Sequence, residues 1–352
     1  MKKVKGEHGI ICRKPNSKFG YFGWPSVTKT VDGTLIAACS GLRKKHIGPW
    51  GRTVLFYSQD QGKNWSKPQL VNDSPVDDRD AGIINIGENN LLLSWFTSDT
   101  RQYLDNLEGE DRNIVRCWTD ELLSRHLGSW VRISNNGGKS WGKARKVSVN
   151  APHGPIVLDS GDLLYLGKKL YGKGKKYIKA LKSKNKGKNW IELAQIPLPV
   201  DSHPDNFHEP HVVELPSGKL LGIIRYQHTE EYQNYKDFSL FKTESYDRGN
   251  TWTQAVSLGV CGSPPHLINH SSGAVVCVYG YRKKPYGERA MISYDDGETW
   301  HTDYIIRADG VDGDLGYPAS VELEDGSILT VYYQKYESGE QTSLLYTRWQ
   351  LP

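Results

Sequence analysis

Residues 58–65, SQDQGKNW, decide the fold of this chain because the phrase is repeated. Each copy has Ser first, Asp or Asn third, Gly fifth and Trp last. The Asp or Asn side chain can bond the backbone two residues on, the Gly supplies a positive φ, and the Trp buries its ring beneath the hairpin. The phrase therefore predicts a tight turn with an aromatic plug. Four more copies lie at residues 134–141, 183–190, 245–252 and 293–300.

A second repeat predicts the number of units in the fold. An apolar strand that follows a Gly-centred turn recurs at residues 34–38, 91–95, 163–166, 220–224, 274–279 and 327–332. Repeats of this period indicate a radial β architecture with few exposed strand edges. Six hairpins with five boxes favour six blades, and residues 5–12 are expected to add the outer strand of the last blade. We predict an all-β, six-bladed β-propeller in one domain over residues 1–352.

One segment, residues 101–130, departs from the β pattern. It is rich in Asp, Glu, Arg and Leu, and Leu122, Leu123 and Leu127 have helical spacing. We predict a helical insertion between the second hairpin and the second box. Its role is open between a packing decoration on the blade, a lid beside the site, and a contact with a second copy of the chain in a homo-oligomer.

Charge and cysteine content limit the classes of partner. The net charge is only +5, from 45 Lys and Arg against 40 Asp and Glu, and the basic stretch 168–188 carries no nucleic-acid-binding motif. Five dispersed cysteines fit a reduced compartment. No run is apolar enough for a signal peptide or a membrane span, so we expect a cytoplasmic protein with neither nucleic acid nor membrane as a partner.

Candidate catalytic residues lie just before each predicted innermost strand. In a propeller these positions form a ring around one mouth of the central channel, and here the ring would present Asp80, His153, Glu209 and Tyr317. The adjacent prolines suit the first residue of a strand, which tolerates a missing N–H. The six starting triplets are Gly23-Trp24-Pro25, Arg79-Asp80-Ala81, Pro152-His153-Gly154, His208-Glu209-Pro210, Pro264-Pro265-His266 and Gly316-Tyr317-Pro318.

A second ring of residues is cationic. The strands that return to the same mouth end at Arg43, Lys168, Arg225 and Arg282. Guanidinium groups on several blades would bind a carboxylate in a planar, bidentate way, which predicts an anionic carbohydrate as the partner. Arg79 and Tyr281 lie beside these positions and join the predicted substrate-binding residues.

Histidines are concentrated near the same mouth. They could donate hydrogen bonds to sugar hydroxyls, act as general acids or bases, or bind zinc. Neither HxH nor HExxH spacing occurs, so we expect no metal and no other cofactor. Those assigned to the site are His46, His153, His208, His211 and His266.

The repeated phrase resembles the Asp box, SxDxGxTW, of the sialidase superfamily, where it joins the outer strands of propeller blades. Glu209, Arg225, Arg282 and Tyr317 follow that family's order of functional residues. The resemblance implies that Tyr317 is a nucleophile, that Glu209 is its base, and that three arginines hold the substrate carboxylate. The HEPH at 208–211, the PPH at 264–266 and the block 314–323 are similar to bacterial proteins of the sialidase or exo-sialidase type.

The chain departs from this family at its first motif. Sialidases open with FRIP, whereas residues 22–25 are Phe-Gly-Trp-Pro, with Gly23 in place of the first arginine. Arg43 or Arg79 is the candidate replacement. The family's acid/base aspartate is assigned to Asp80, with Asp78 in reserve, although residues 77–80 (DDRD) also fit an internally paired turn.

Three functions follow from these residues. The first is a glycoside hydrolase that cleaves a terminal acidic or polar sugar, with Tyr317, Glu209 and Asp80 as nucleophile, base and acid/base. The second is a uronate lyase in which His153 and Tyr317 are base and acid. The third is a carbohydrate-binding propeller without catalysis, because the same fold hosts different functions.

Overall fold

Six four-stranded antiparallel sheets form the blades of the computed structural model, which describes residues 2–352. The chain begins with β1 (Lys2–Lys3) and β2 (Gly6–Cys12). Blade one contains β3 (Tyr21–Lys29), β4 (Leu35–Arg43), β5 (Arg52–Ser58) and β6 (Gln69–Asn72). Blade two contains β7 (Asp77–Asn85), β8 (Leu91–Ser98), β9 (Ser129–Ser134) and β10 (Arg145–Val147). Blade three contains β11 (Ile156–Val157), β12 (Leu163–Lys168), β13 (Ile178–Ser183) and β14 (Ile191–Gln195).

The last three blades follow the same order from the innermost to the outermost strand. Blade four contains β15 (Phe207–Glu214), β16 (Leu220–Tyr226), β17 (Ser239–Ser245) and β18 (Val256–Cys261), preceded by a short 3-10 helix (Pro204–Asn206). Blade five contains β19 (Pro265–Asn269), β20 (Val275–Tyr281), β21 (Gly287–Ser293) and β22 (His301–Arg307). Blade six contains β23 (Gly316–Glu322), β24 (Ile328–Lys335) and β25 (Thr342–Trp349). The predicted fold is confirmed.

The first and last segments of the chain close the propeller. Strand β2 pairs antiparallel with β25, from Gly6 opposite Trp349 to Cys12 opposite Leu344, and so completes blade six. Strand β1 pairs in parallel with β22 of blade five, where Lys2 lies opposite Tyr304. Both pairings cover strand edges that would otherwise expose backbone N–H and C=O groups. The predicted outer strand at residues 5–12 is confirmed.

Each Asp box connects the third and fourth strands of its blade. In the first copy, Ser58 Oγ donates to Asp60 Oδ1 at 2.9 Å and accepts from Gly62 N at 3.0 Å. The Trp65 indole N–H donates to the Gly62 carbonyl at 3.0 Å. The φ angle of Gly62 is 85°, and the box glycines at 187, 249 and 297 have similar values, so that the four lie between 82° and 90°. The sequence phrase therefore forms the turn that its residue types predict.

The box glycines also fix one blade against the next. A Cβ on Gly187 of blade three would lie 2.3 Å from Leu92 Cδ1 of blade two. A Cβ on Gly297 of blade five would lie 2.6 Å from Leu221 Cδ2 of blade four. Six apolar clusters fill the spaces between adjacent blades. Burial is thus spread around the ring, with the boxes at the contact between neighbouring blades.

Blade three differs from the others at its inner edge. Its innermost strand β11 has only two residues, because Pro152 and Pro155 lack the N–H that a longer ladder needs. Gly154 between them has a φ of 79°. His153 therefore lies on a turn, whereas the residues at the corresponding positions of the other blades lie at the start of a strand.

The predicted insertion is helical and begins close to its expected position. It contains a 3-10 helix (Thr100–Asn106), α1 (Gly109–Arg116) and α2 (Asp120–His126). Strand β9 starts at Ser129, so the helical part is shorter than residues 101–130. None of the helices described within residues 2–352 has the length and apolar character that a bilayer span requires.

The insertion packs on the loop that follows β4 in blade one. Asp111 of α1 accepts from Lys44 Nζ at 2.6 Å and from the Trp50 indole N–H at 2.8 Å. Ile47 packs against a buried cluster that includes Val115 and four other apolar residues. The insertion therefore supports the 43–51 loop, which reaches the mouth of the channel.

Candidate active site

The inner strands of four blades have a residue in the same left-handed backbone conformation near their start. Trp24, Asp80, Glu209 and Tyr317 have φ values of 55°, 49°, 48° and 51°. Each lies where the register of its hairpin shifts at a β-bulge. A left-handed conformation in a residue other than glycine costs about 1–3 kcal/mol and is concentrated at functional sites. The bulges aim four different side chains at one mouth of the channel, opposite the Asp-box turns.

The side chains of Tyr317, Glu209 and Arg225 form one hydrogen-bonded unit. The Tyr317 hydroxyl donates to Glu209 Oε1, and Arg225 Nη1 donates to Glu209 Oε2. Arg225 lies on the returning strand, opposite His208 in the register, and its Nη2 donates to Gln227 Oε1 at 2.6 Å. The carboxylate of Glu209 thus bridges a phenol and a guanidinium.

Burial and neighbouring charges set the protonation of this unit. Burial and the negative charges of Glu209 and Asp80 raise the pKa of Tyr317 well above its ordinary value. Burial also acts to raise the pKa of Glu209, but Arg225 and the Tyr317 hydrogen bond outweigh it, and the pKa is lowered. At neutral pH the phenol therefore holds its proton, and an ionised carboxylate is in place to accept it.

Asp80 is buried close enough to this unit for its charge to act on Glu209 and Tyr317. Its exposed fraction is 6%, and its Oδ1 has no hydrogen-bond partner within residues 2–352. Burial raises its pKa to about 7, while Arg79 acts to lower it and Glu209 to raise it. Asp78, the reserve candidate, is fully buried and accepts from Ser74 N at 2.8 Å, so its role is structural.

A cavity of about 450 Å³ opens over Tyr317. Arg225 and Arg282 both line it, and their guanidiniums lie 5.1 and 5.7 Å from the ring of Phe238. Arg282 donates to the Leu315 carbonyl at 3.0 Å and lies 5.6 Å from the Tyr317 ring. The complete lining is Trp24, His46, Arg225, Phe238, Arg282, Gly313, Asp314, Tyr317 and Tyr333.

Arg43 and Arg79 do not face the cavity in the way the sequence suggests. Arg43 is 1% exposed, and its Nη1 and Nη2 donate to the carboxylate of Asp77 at 2.5 and 3.1 Å. It therefore supports the wall, and the expectation that it contacts substrate is corrected. Arg79 lies with its guanidinium 4.1 Å from the Trp24 ring and donates weakly to the His46 carbonyl at 3.4 Å.

Four of the five predicted histidines lie outside the cavity lining. His208 lies 3.2 Å from Lys168 Nζ, and burial followed by the Lys168 charge lowers its pKa to about 3. His211 and His266 stack at 4.3 Å in the channel. His153 contacts both rings edge-on, and neither of its ring nitrogens has a partner within residues 2–352.

The hydrogen bonds of His211 and His266 do not suit a metal. Nδ1 of His211 accepts from Leu267 N at 3.0 Å, and Nδ1 of His266 accepts from Ser320 N at 3.3 Å. Each neutral ring therefore carries its proton on Nε2 and has no lone pair left there for a cation. No group of three or more His, Cys, Asp or Glu side chains in the described part of the chain could hold a metal ion.

Other residues of the cavity were missed from the sequence. Tyr333 lies opposite Gly316 in blade six, the register position that Arg225 holds in blade four, so the rule that identified Arg225 also applies to it. Asp314 lies three residues before Tyr317, but nothing in its local sequence indicates its direction. Tyr281, which was predicted, packs under the Arg289 guanidinium at 4.7 Å and does not line the cavity.

Comparison with known proteins supports the assignment of the fold. The family model of the BNR/Asp-box repeat matches residues 56–67, and no curated protein matches the chain. A protein of unknown function from Dyadobacter fermentans DSM 18053 is 22% identical with a TM-score of 0.79, and each chain is covered completely.

Two sialidases are also similar in structure at lower identity. Trypanosoma rangeli sialidase is 16% identical with a TM-score of 0.67; the match covers 97% of this chain but only 59% of that one. The NanB sialidase of Streptococcus pneumoniae is 14% identical with a TM-score of 0.67, over 97% of this chain and 70% of that one. The six blades, the Asp boxes and these structural neighbours show that the chain has the fold of a sialidase-type propeller with BNR/Asp-box repeats.

Proposed function

We propose that this propeller is a glycoside hydrolase that removes a terminal acidic sugar from an oligosaccharide. The observation that carries the proposal is the unit of Tyr317, Glu209 and Arg225, of which Tyr317 and Arg225 line the cavity. A phenol with an adjacent ionised carboxylate is the arrangement of an activated nucleophile and its base. Arg225 and Arg282 supply positive charge beside it.

The neutral charge of the nucleophile fits an acidic sugar. When the anomeric carbon carries its own carboxylate, an anionic nucleophile would be repelled, whereas Tyr317 approaches as a neutral phenol. Glu209 accepts the phenolic proton as the new bond forms. Arg225 and Arg282 then offset the charge of the sugar carboxylate.

The structural neighbours support a covalent intermediate. T. rangeli sialidase has been solved with sialic acid and, with 2,3-difluorosialic acid, as a covalent intermediate. By analogy, Tyr317 would form the glycosyl bond in this chain and water would later break it. The substrate can differ from sialic acid, because Gly23 provides no arginine and only two arginines line the cavity.

The geometry favours hydrolysis over the two alternatives. The lyase hypothesis needs His153 as a base, but His153 is 1% exposed and lies outside the cavity lining. Carbohydrate binding without catalysis does not require the proton-transfer geometry between Tyr317 and Glu209. Both alternatives remain measurable outcomes of one experiment.

A mass-spectrometric screen tests the proposed function. Wild type is incubated with sialosides, uronic-acid glycosides and neutral oligosaccharides, beside Tyr317→Phe and the matched control Tyr294→Phe. Tyr294 is 54% exposed in the fifth Asp box on the opposite face. With wild type and Tyr294→Phe we expect products whose summed mass exceeds that of the substrate by one water molecule. With Tyr317→Phe we expect no product. An unsaturated, ultraviolet-absorbing product would indicate a lyase, and binding without product a carbohydrate-binding protein.

A further inference from the structure

The cavity wall contains a histidine–aspartate pair that the proposed roles leave unused. His46 Nδ1 lies 2.9 Å from Asp314 Oδ1, and both residues line the cavity together with Tyr317. The Trp24 ring lies near both this pair and the nucleophile, with its centroid 4.9 Å from that of the His46 ring and 6.4 Å from that of the Tyr317 ring. The His46 side chain is 45% exposed, so it is open to a ligand.

Asp314 fixes the tautomer of His46. Its Oδ1 also accepts from the hydroxyls of Tyr21 at 3.1 Å and Tyr333 at 3.2 Å. Burial acts to raise the pKa of Asp314, but the hydrogen bonds from His46 and the tyrosines outweigh it, so the carboxyl is ionised. An ionised carboxylate accepts the Nδ1 proton of His46. The other nitrogen, Nε2, makes no hydrogen bond within residues 2–352 and is free for a ligand.

The surrounding structure holds His46 in place from its backbone. Its carbonyl accepts from Arg43 Nη2 at 2.9 Å and from Arg79 Nη1 at 3.4 Å. The helical insertion supports the same loop through Asp111, which binds Lys44 and Trp50. A group held on several sides is preorganised for catalysis.

The pair occupies the part of the wall where the chain departs from the sialidase pattern. A Cβ on Gly23 would lie 3.1 Å from the Tyr21 ring and 3.7 Å from the Tyr333 ring. The space beside Gly23 is therefore filled by the two tyrosines that bind Asp314. The chain thus has Gly23 where the sialidase motif has arginine, and the His46–Asp314 pair lies beside this position.

We propose that His46 is the acid/base residue of the reaction and that Asp314 is its positioning residue. The proposal rests on the proposed function. In the first step Tyr317 attacks the anomeric carbon, its proton passes to Glu209, the glycosidic bond breaks, and protonated His46 gives its Nε2 proton to the leaving oxygen. In the second step neutral His46 takes a proton from water, the water oxygen bonds the anomeric carbon, and Tyr317 leaves with the proton of Glu209.

Asp80 is less suited to this role because of its position. It does not line the cavity, and its unpartnered Oδ1 is buried. An acid/base residue must come within hydrogen-bond distance of the leaving oxygen. Asp80 instead contributes to the electrostatic environment of Glu209 and Tyr317.

Two substrates that share a sugar but differ in leaving group test the role of His46. An aryl glycoside with an acidic phenol needs no proton donor to break its bond, whereas a sugar leaving group does. For His46→Gln we expect kcat/KM to fall by about 10²–10⁴ on the natural linkage and by less than about tenfold on the aryl glycoside. The ratio of the two rates does not depend on the folded fraction of a preparation.

A control substitution at another histidine and the wild-type protein distinguish failure of the acid/base role from failure of the proposed function. His270 bonds Ser272 and the Gly326 carbonyl in a hairpin turn on the opposite face, so His270→Gln should leave both rates unchanged. Equal losses on both substrates in His46→Gln would overturn the acid/base role of His46 while leaving the glycosidase intact. If wild type cleaves neither substrate, the proposed function itself fails.

The pH profile gives a second test. Burial lowers the pKa of His46 from 6.5, Asp314 acts to raise it, and Arg79 and Arg43 act to lower it; Tyr21 and Tyr333 face the pair. The first step needs protonated His46, so kcat/KM should fall as the pH rises through that lowered pKa. Asp314→Asn should move this decrease to lower pH.

The same measurement on Asp80→Asn completes the test. Asp80→Asn should retain the alkaline decrease of kcat/KM, and His46→Gln should abolish it. Loss of the decrease in Asp80→Asn, with its retention in His46→Gln, would overturn the proposal and assign the acid/base role to Asp80.

Discussion

The two faces of the propeller use its repeated architecture in opposite ways. On the Asp-box face, five turns keep the same Ser, Asp or Asn, Gly and Trp. On the cavity face, four inner strands keep the same left-handed bulge but carry Trp24, Asp80, Glu209 and Tyr317. A residue type that recurs at equivalent positions indicates packing between blades. A shared backbone with different side chains indicates a binding or catalytic site.

The largest effect should come from the unit on the cavity face. Tyr317→Phe and Glu209→Gln should each lower kcat by at least about 10³-fold, because each removes one partner of a single proton transfer. The double variant should lose little more than either single variant. Steady-state rates on the substrate found by the screen provide the measurement.

The opposite outcome would contradict this coupling between Tyr317 and Glu209. If kcat of the double variant fell by the product of the two single factors, the two side chains would act independently. The unfolding midpoint of Tyr317→Phe should differ little from wild type, since this substitution keeps the ring and the ion pair between Glu209 and Arg225.

The sequence predicted local features of both faces well. The box turn depends on residues within eight positions of one another, and the closing strand at 5–12 follows from counting hairpins. Asp80, Glu209 and Tyr317 share the left-handed bulge because the start of an inner strand is defined by its own repeat, whereas His153, predicted in the same row, lies on a turn. These features need no knowledge of contacts between distant segments.

The contacts that could not be predicted are long-range. Arg43 was expected at the cavity because it ends a strand, but Asp77, 34 residues later, binds its guanidinium. The partner of His46 is Asp314, 268 residues away, which no spacing rule connects to it. The insertion was predicted as helical from leucine spacing, but its contact with the 43–51 loop depends on how the blades pack.

The next effect, on stability, should come from the Asp-box face. Gly187→Ala places a Cβ 2.3 Å from Leu92 Cδ1 and forces alanine to a φ of 82°. The left-handed backbone costs about 1–2 kcal/mol, and overpacking adds about 1–3 kcal/mol. We expect both losses in the free energy of unfolding measured in urea, with kcat unchanged in the folded protein.

A second glycine of blade three separates the two terms. Gly161 has a φ of 80°, but nothing lies within 4 Å of an added Cβ. Gly161→Ala should therefore show only the backbone cost. Equal losses for the two variants would mean that the box glycine does not restrict the contact between blades.

A pH-dependent effect should come from Asp80. Burial raises its pKa to about 7 in the folded chain, against an ordinary value of 3.8. The protonated form is favoured by folding, so its contribution to stability is complete below about pH 4 and is lost as the pH rises through about 7. Wild type should lose stability relative to Asp80→Asn over this range, by at most about 1.4 kcal/mol per pH unit.

Urea unfolding of both proteins across this pH range measures the difference. Asp78, with a pKa raised to about 7, and Glu288, with a pKa raised to about 8, titrate in both proteins, so their contributions cancel. A constant difference between the two proteins would show that Asp80 does not titrate in the folded state over this range.

The smallest effect tests how uniform the boxes are. Trp65 donates its indole N–H to the Gly62 carbonyl, but the indole nitrogen of Trp300 has no partner within residues 2–352. In that fifth box Lys242 Nζ lies 3.2 Å from the Gly297 carbonyl and donates to it. The repeated turn is thus kept, while one of its hydrogen bonds is replaced by a lysine from the neighbouring blade four.

Two matched substitutions compare these boxes. Trp65→Phe and Trp300→Phe remove similar apolar area, but only Trp65→Phe removes a hydrogen bond, which contributes about 0.5–1.5 kcal/mol. We expect Trp65→Phe to lower the free energy of unfolding by about that amount more than Trp300→Phe does. An equal loss would mean that the indole hydrogen bond adds nothing measurable and that the tryptophan is retained for its buried ring alone.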